Sequence, residues 1–276
     1  MKRRTALQLT SGLLFAGLGT SCSSARKKKE AARQAQLQKQ QAAARLTANT
    51  DYRPPVYNQR LRNPDINLPA RFNTSQVTHN KGLQNTPYVA MTFDDGPHPQ
   101  NTPRLLDILR ARNIKATFYV IGRNVDRYPQ IARRIVAEGH EIGNHTYTHR
   151  KLTTLSDAQV RQEMSKTQNS IGKATGVRPA TMRPPYGALH TRQRKEVFSE
   201  FGYPTILWSV DPEDWRRPGV AVVRSRLVNR AHNGAILLAH DLHAPTVDAM
   251  PGTFDSLLGK GYKFITVSQM LAQKGV

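Results

Sequence analysis

Two short runs of this chain bring together side chains that could do chemistry. Asp94-Asp95-Gly96-Pro97 sets two carboxylates side by side, and His145-Thr146-Tyr147-Thr148-His149 spaces two imidazoles four residues apart. The i, i+4 interval predicts a helical turn with both rings on one side, which suits two ligands of one metal ion. A carboxylate with two imidazoles makes a borderline-soft divalent site, with positions left open for water and substrate. Each part alone has an ordinary explanation. Asp-Asp is often a turn or a helix cap, and a spaced histidine pair is often structural or at the surface. His240, at the end of an apolar run, adds a third imidazole. It is either a core histidine or, with Asp214 to orient it, a general acid. Cys22 is the only cysteine, so no intramolecular disulfide and no cysteine metal cage can form. Zinc, if present, would have to be held by the histidines and a carboxylate. His79, His140, His190 and His232 have no such partner in sequence and read as structural or surface groups; His98 and His243 read as rim residues of a cleft.

These groups need elements to hold them. From Tyr88 onward, apolar β-branched runs alternate with stretches of helical period. Strands are predicted at Tyr88–Phe93, Ala116–Ile121, His140–Gly143, Thr205–Val210, Ala235–Ala239 and Lys263–Thr266. Helices are predicted around Leu105–Leu109, Ile131–Val136, Ser156–Thr175 (with Ser156 as N-cap), Val220–Ala231 and at the C-terminus. Alternating β and α units imply a parallel sheet, open or closed into a barrel. In such folds the working residues lie just past the C-terminal ends of strands. The polar clusters obey this rule. Asp94-Asp95 follows the strand ending at Phe93, Asn144-His145 follows Gly143, Asp211-Pro212-Glu213-Asp214-Trp215 follows Val210, His240-Asp241 follows Ala239, and Arg183-Pro184-Pro185-Tyr186-Gly187 follows a weaker run. Five coincidences describe one face of a barrel with a site on it.

Composition bounds the rest. At 276 residues, 38% hydrophobic and 22% charged, the chain is neither collagen-like, wholly disordered nor a multi-span membrane protein. The formal net charge is +22 and is unevenly spread: residues 1–88 hold 15 Lys/Arg against 3 Asp/Glu. Basic charge alone fits nucleic acid, anionic lipid or an acidic polymer. Lys2-Arg3-Arg4, then Leu13–Gly19, then small residues up to Cys22, describe an export signal over residues 1–22. Leu18-Gly19-Thr20-Ser21-Cys22 resembles a lipobox, departing from it at Gly19, so both lipidation at Cys22 and plain secretion are expectations. Residues 23–87 read as a basic, Gln/Ala-rich then Pro/Asn-rich tether, and residues 88–276 as the catalytic domain. An exported chain with no nucleic-acid motif is not expected to bind nucleic acid.

Taken in order, Thr92-Phe93-Asp94-Asp95-Gly96-Pro97, His145-Thr146-Tyr147-Thr148-His149, Arg183-Pro184-Pro185-Tyr186-Gly187, Asp211-Pro212-Glu213-Asp214-Trp215 and Leu238-Ala239-His240 resemble the polysaccharide deacetylase family, the NodB-like domains of carbohydrate esterase family four. The resemblance covers about residues 86–274. It implies a distorted (β/α) barrel with fewer than eight regular units, and metal-dependent removal of acetyl groups from N-acetylated sugars. Peptidoglycan or another GlcNAc polymer is the expected substrate of a monomer in the cell envelope or periplasm. By position, Asp95, His145 and His149 would hold the metal, zinc first and cobalt, nickel or manganese as substitutes. Asp94 would be the base and His240 the acid. Arg183 would hold Asp94, and Asp214 would orient His240. The Tyr186 N–H would bind the oxyanion, and Trp215 and Leu238 would wall the acetyl methyl. An O-acetyl esterase on xylan and a non-catalytic wall-binding module are the competing expectations.

Overall fold

Alternation with a period of two decides what each strand contributes. The computed structural model describes residues 77–275; the expected export signal, Cys22 and the expected tether up to residue 76 lie outside the described residues. The strands are β1 (Thr78–His79), β2 (Tyr88–Asp94), β3 (Thr117–Val120), β4 (Glu141–Asn144), β5 (Thr205–Ile206), β6 (Ile236–His240) and β7 (Lys263–Phe264). The helices are α1 (Asn101–Arg110), α2 (Gly122–Arg127), α3 (Pro129–Ala137), α4 (Asp157–Thr175), α5 (Thr191–Phe201), α6 (Val220–Arg230), α7 (Ala244–Gly259) and α8 (Val267–Gln273).

The strands run parallel in the order β4-β3-β2-β6, with β7 also on β2 and β1 on β5. Single bridges continue the ring. Asn144 meets Met182, Met182 meets Thr205, and Val210 meets Leu237 of β6. The result is a small closed barrel, as the family resemblance implies. Val89, Met91, Phe93, Phe118, Val120, Ile142, Leu237 and Ala239 point outward and pack on the helices as the main core. Ala90, Tyr119, Ile206 and Ile236 point inward and pack with Val267, Met270 and Leu271 of α8. On the same inward rows lie Thr92 and Asp94, and Leu238 and His240. Cross-strand register sets Asp94 opposite His240 and Thr92 opposite Leu238. Tyr119 fills the barrel centre because Gly143 makes room: a Cβ there would sit 2.5 Å from its ring.

Some expectations needed correction. The strand expected over Thr205–Val210 forms a ladder only at Thr205–Ile206. Beyond it the segment changes partner: the Leu207 N–H goes to His79 O of β1 and the Ser209 N–H to Ile236 O of β6. The Ile206 and Leu207 carbonyls are taken by the Arg183 guanidinium. Residues 77–87, read as the end of the tether, carry β1 and a hydrogen bond from Gly82 N to Gly234 O. Three helices are additional. α2 has only six residues, α5 is mostly polar, and α7 has Pro251 and Gly252 in its interior, which mask its helical period. α4 forms as expected. The Ser156 side chain accepts from Gln159 N while Gln159 reaches back to the Ser156 N–H, a capping box worth about 1 kcal/mol.

Candidate active site

Three ligand-type atoms meet where β2 and β4 end. Asp95 Oδ1 lies 3.2 Å from His145 Nε2 and 3.0 Å from His149 Nε2. The three side chains together offer one ligand atom each, all within 4.8 Å of one another. His145 Nδ1 is 2.7 Å from the Arg183 carbonyl. A carbonyl only accepts, so Nδ1 carries the proton and the Nε2 lone pair is free to coordinate. Asp95 Oδ1 is buried with no hydrogen-bond donor aimed at it. A positive charge between these groups, a proton or a divalent ion, is what such a constellation asks for. Burial by itself would raise the Asp95 carboxyl; its interactions with the His145 and His149 imidazoles outweigh burial and hold it well below the usual carboxylate range. The donor set fits a metal ion.

The histidines do not sit on a helical turn. Residues 145–149 form a loop in which Thr146 (φ 68°) and His149 (φ 62°) are left-handed. That backbone, rather than a helix, aims both rings at Asp95, which is itself left-handed at φ 74°. Asp95 is fixed by its N–H to Tyr119 O (3.1 Å) and by Asn124 Nδ2 to its own carbonyl (2.8 Å).

Asp94 faces the same space from the barrel wall. Arg183, with no exposed surface, donates from Nη1 to Asp94 Oδ1 at 2.8 Å and to Thr92 Oγ1 at 2.7 Å. Its other donors reach Ile206 O and Leu207 O, and its guanidinium lies over the Tyr119 ring, 4.4 Å from the centroid. Every polar face of this buried cation is engaged. Asp94 Oδ2 stands 3.9 Å from His145 Nε2.

Across the mouth, one carboxylate holds His240 twice, by its ring and by its backbone N–H. Asp214 Oδ1 is 2.8 Å from His240 Nδ1, and Asp214 Oδ2 accepts the His240 N–H at 2.8 Å and the Thr246 hydroxyl at 3.0 Å. Burial alone would lower the His240 pKa. The Asp214 hydrogen bond and charge override it, with help from Asp94 and Asp95, and raise it to about 9. Next to it, Asp241 is fully buried, accepts from Thr102 Oγ1, and is pushed up to about 7 by burial.

Tyr186, in the 3-10 turn Pro185–Gly187, is left-handed at φ 60° and 68% exposed, its ring edge-on to His149 at 5.0 Å. Trp215, in the turn Asp214–Arg216, is 51% exposed with the Arg216 guanidinium 4.6 Å from its ring centre. Leu238 is buried on β6, one inward position below His240.

Comparison with known proteins decides the family. The polysaccharide deacetylase model matches residues 81–206. The peptidoglycan-N-acetylglucosamine deacetylase PgdA of Listeria monocytogenes is 41% identical over 186 residues, 67% of this chain and 39% of that protein. A peptidoglycan-N-acetylglucosamine deacetylase of Bacillus cereus is 37% identical over 211 residues, 75% of this chain and 96% of that protein. This chain is a polysaccharide deacetylase family member. The crystal structure of the Bc1960 peptidoglycan N-acetylglucosamine deacetylase, bound to an N-hydroxybenzamide, superposes with a TM-score of 0.68 at 33% identity, over 71% of this chain and 93% of that one. This family member spans about two-fifths of the Listeria relative's length.

The ten residues singled out from sequence, Asp94, Asp95, His145, His149, Arg183, Tyr186, Asp214, Trp215, Leu238 and His240, sit on the strand-end loops and inward rows of this family barrel. Two partners were given no role from sequence. Thr92 stood only as the first residue of the Thr92–Pro97 motif, and Thr246 lies six residues beyond His240 in a segment with no recognisable pattern.

Proposed function

We propose that this chain is an exported, metal-dependent N-deacetylase of peptidoglycan or a related GlcNAc polymer. The observation that carries this reading is one rung of the barrel. Asp94 and His240 are register partners on β2 and β6. One is clamped by a buried arginine, the other by a buried carboxylate. Base and acid must hold opposite protonation states at one pH, and the Asp214 carboxylate holds the His240 imidazole charged above its ordinary range.

Asp95, His145 and His149 would hold the ion. Zinc in such a site supplies Lewis acidity and lowers the pKa of water to about 7 in favourable cases. Arg183 occupies Asp94 Oδ1, which leaves Oδ2 to accept the proton of the attacking water. His240 Nδ1 is bound to Asp214, so Nε2–H is the proton available to the leaving nitrogen. The Tyr186 backbone N–H would stabilise the oxyanion, where a single well-placed donor is worth roughly 3 kcal/mol. Leu238 and Trp215 would bound the acetyl methyl.

The test is acetate release by the protein reconstituted with zinc or cobalt, on peptidoglycan, chitooligosaccharides and acetylated xylan side by side. The expected result is release from a GlcNAc polymer that stops on chelation. Asp94→Asn should lower it about 10²–10⁴-fold. Release from xylan alone would replace this reading with an O-acetyl esterase. Binding to wall polymer with no release would replace it with a binding module.

A further inference from the structure

The loop that carries both histidine ligands is costly to hold. Thr146 is β-branched and left-handed, and His149 is left-handed as well. Non-glycine residues in that region cost of order 1–3 kcal/mol each and persist only when their surroundings over-determine them. Inside the loop, Asn144 Oδ1 accepts the Thr146 N–H at 3.0 Å and Thr146 Oγ1 accepts the His149 N–H at 3.0 Å. These bonds shape the loop, and the Gly122 and Arg123 N–H groups at the start of α2 hold one side of it through the Thr146 carbonyl at 3.0 Å and the Tyr147 carbonyl at 3.2 Å.

Glu163 attaches it as well. This residue sits in the second turn of α4, and its nearly buried carboxylate accepts three hydrogen bonds from the segment between the ligands. Oε2 takes the Tyr147 N–H at 2.8 Å and the Thr148 N–H at 2.7 Å, and Oε1 takes the Thr148 hydroxyl at 2.7 Å. Two successive backbone N–H groups aimed at one carboxylate oxygen fix the peptide planes that lead to His149. The helix behind Glu163 is itself well anchored: α4 is capped at Ser156, and Thr167 Oγ1 donates to the Glu163 carbonyl at 2.9 Å. Asn144 Nδ2 adds a bond to Met164 O at 2.9 Å, one residue on. On its outer side, the Tyr147 hydroxyl donates to Asp126 at 3.0 Å.

We infer that Glu163 is a positioning residue for the metal site: it holds residues 147–148 so that His145 and His149 meet Asp95 at ligand spacing. This rests on the reading of Asp95, His145 and His149 as the metal ligands. The role is geometric. In a glutamine the amide oxygen can accept both backbone N–H groups, while the amide nitrogen donates to the Thr148 hydroxyl turned as acceptor. Glutamine should therefore replace glutamate, and alanine should not.

The experiment measures zinc affinity by competition with a chromophoric chelator on the full chain and its Glu163→Ala and Glu163→Gln variants. Ligand-field spectra of the cobalt forms report ligand geometry. The expected result is a 10–100-fold weaker zinc complex for Glu163→Ala, the range found when outer-shell partners of metal ligands are removed. Its cobalt spectrum should change, and Glu163→Gln should stay within a few-fold of the parent with the parental spectrum. Parental zinc affinity in Glu163→Ala, with only the chelated protein melting lower, would make Glu163 a structural residue and overturn the inference. So would a Glu163→Gln as weak as Glu163→Ala. If Glu163→Ala does not fold, Glu163→Asp, one methylene too short to reach all three donors, takes its place with the same expectations. A parent chain that binds no zinc would instead remove the metal-site reading itself, a separate outcome.

Discussion

His145 and His149 hang from a loop with left-handed Thr146 and His149, whereas His240 is the last residue of a regular strand, in register with Asp94 across the sheet. The two sides of one mouth face different demands. The three proposed metal ligands must converge on a point from different directions, and no single strand or helix here offers those directions. Asp95, Thr146 and His149 therefore leave the common backbone regions, and neighbouring side chains hold them there. The general acid proposed at His240 needs only one direction. The pleat of β6 provides it, and one carboxylate, Asp214, fixes the ring. Precision at the metal corner is stored in strained loops; at the acid corner it comes with the strand.

The largest expected effect removes what the two sides share. Arg183→Met leaves Asp94 buried without its cation and strips the Ile206 and Leu207 carbonyls of their donor. Breaking a buried pair from one side should cost about 3–5 kcal/mol of unfolding free energy in urea, beyond the loss of activity. A cost below about 1 kcal/mol would mean that the barrel interior does not depend on this ion pair.

Next comes the acid corner alone. In the chelated parent, the His240 imidazole should titrate near pH 9 by NMR. Its raised pKa contributes stability that is whole below the ordinary value of 6.5 and is lost as pH climbs through about 9. Asp214→Asn should move the titration to lower pH and bring down the alkaline limb of kcat with it. The zinc affinity should stay parental, since the ligand loop is held by other groups. An unmoved titration would show that Asp214 does not set the protonation of His240.

The smallest effect is expected at Tyr186. Its φ of 60° suits glycine, and its ring is largely in solvent. If only its backbone N–H serves the reaction, Tyr186→Gly should keep kcat within about tenfold, raise KM and leave the melting temperature equal or slightly higher. A hundredfold fall in kcat would assign the work to the ring.

The strand order of chemistry was legible because inward residues at strand ends are unusual for their setting. Asp94, Asp95 and His240 each stand after a run that is otherwise apolar. The length of α4 and its cap were legible from Ser156 and Gln159. What escaped was anything decided by tertiary contact. The i, i+4 histidines suggested a helix because spacing is silent about φ; the loop is tied down by Glu163, sixteen and fifteen residues away from its backbone partners, and by the Gly122 and Arg123 N–H groups on α2. β5 stops short because its carbonyls are claimed by an arginine more than twenty residues earlier. α7 was hidden by Pro251 and Gly252, whose local preferences are overruled by burial of Val247, Met250, Phe254 and Leu257.

Tyr119 standing against Gly143, with Arg183 stacked over it and α8 below, gives the barrel a solid floor. On the proposed deacetylase function, the small acid cut from a glycan would find no path beneath this floor and would leave by the mouth through which the glycan came. Turnover on a polymer would then be a matter of traffic, with the freed acid competing for the place of the next acyl group.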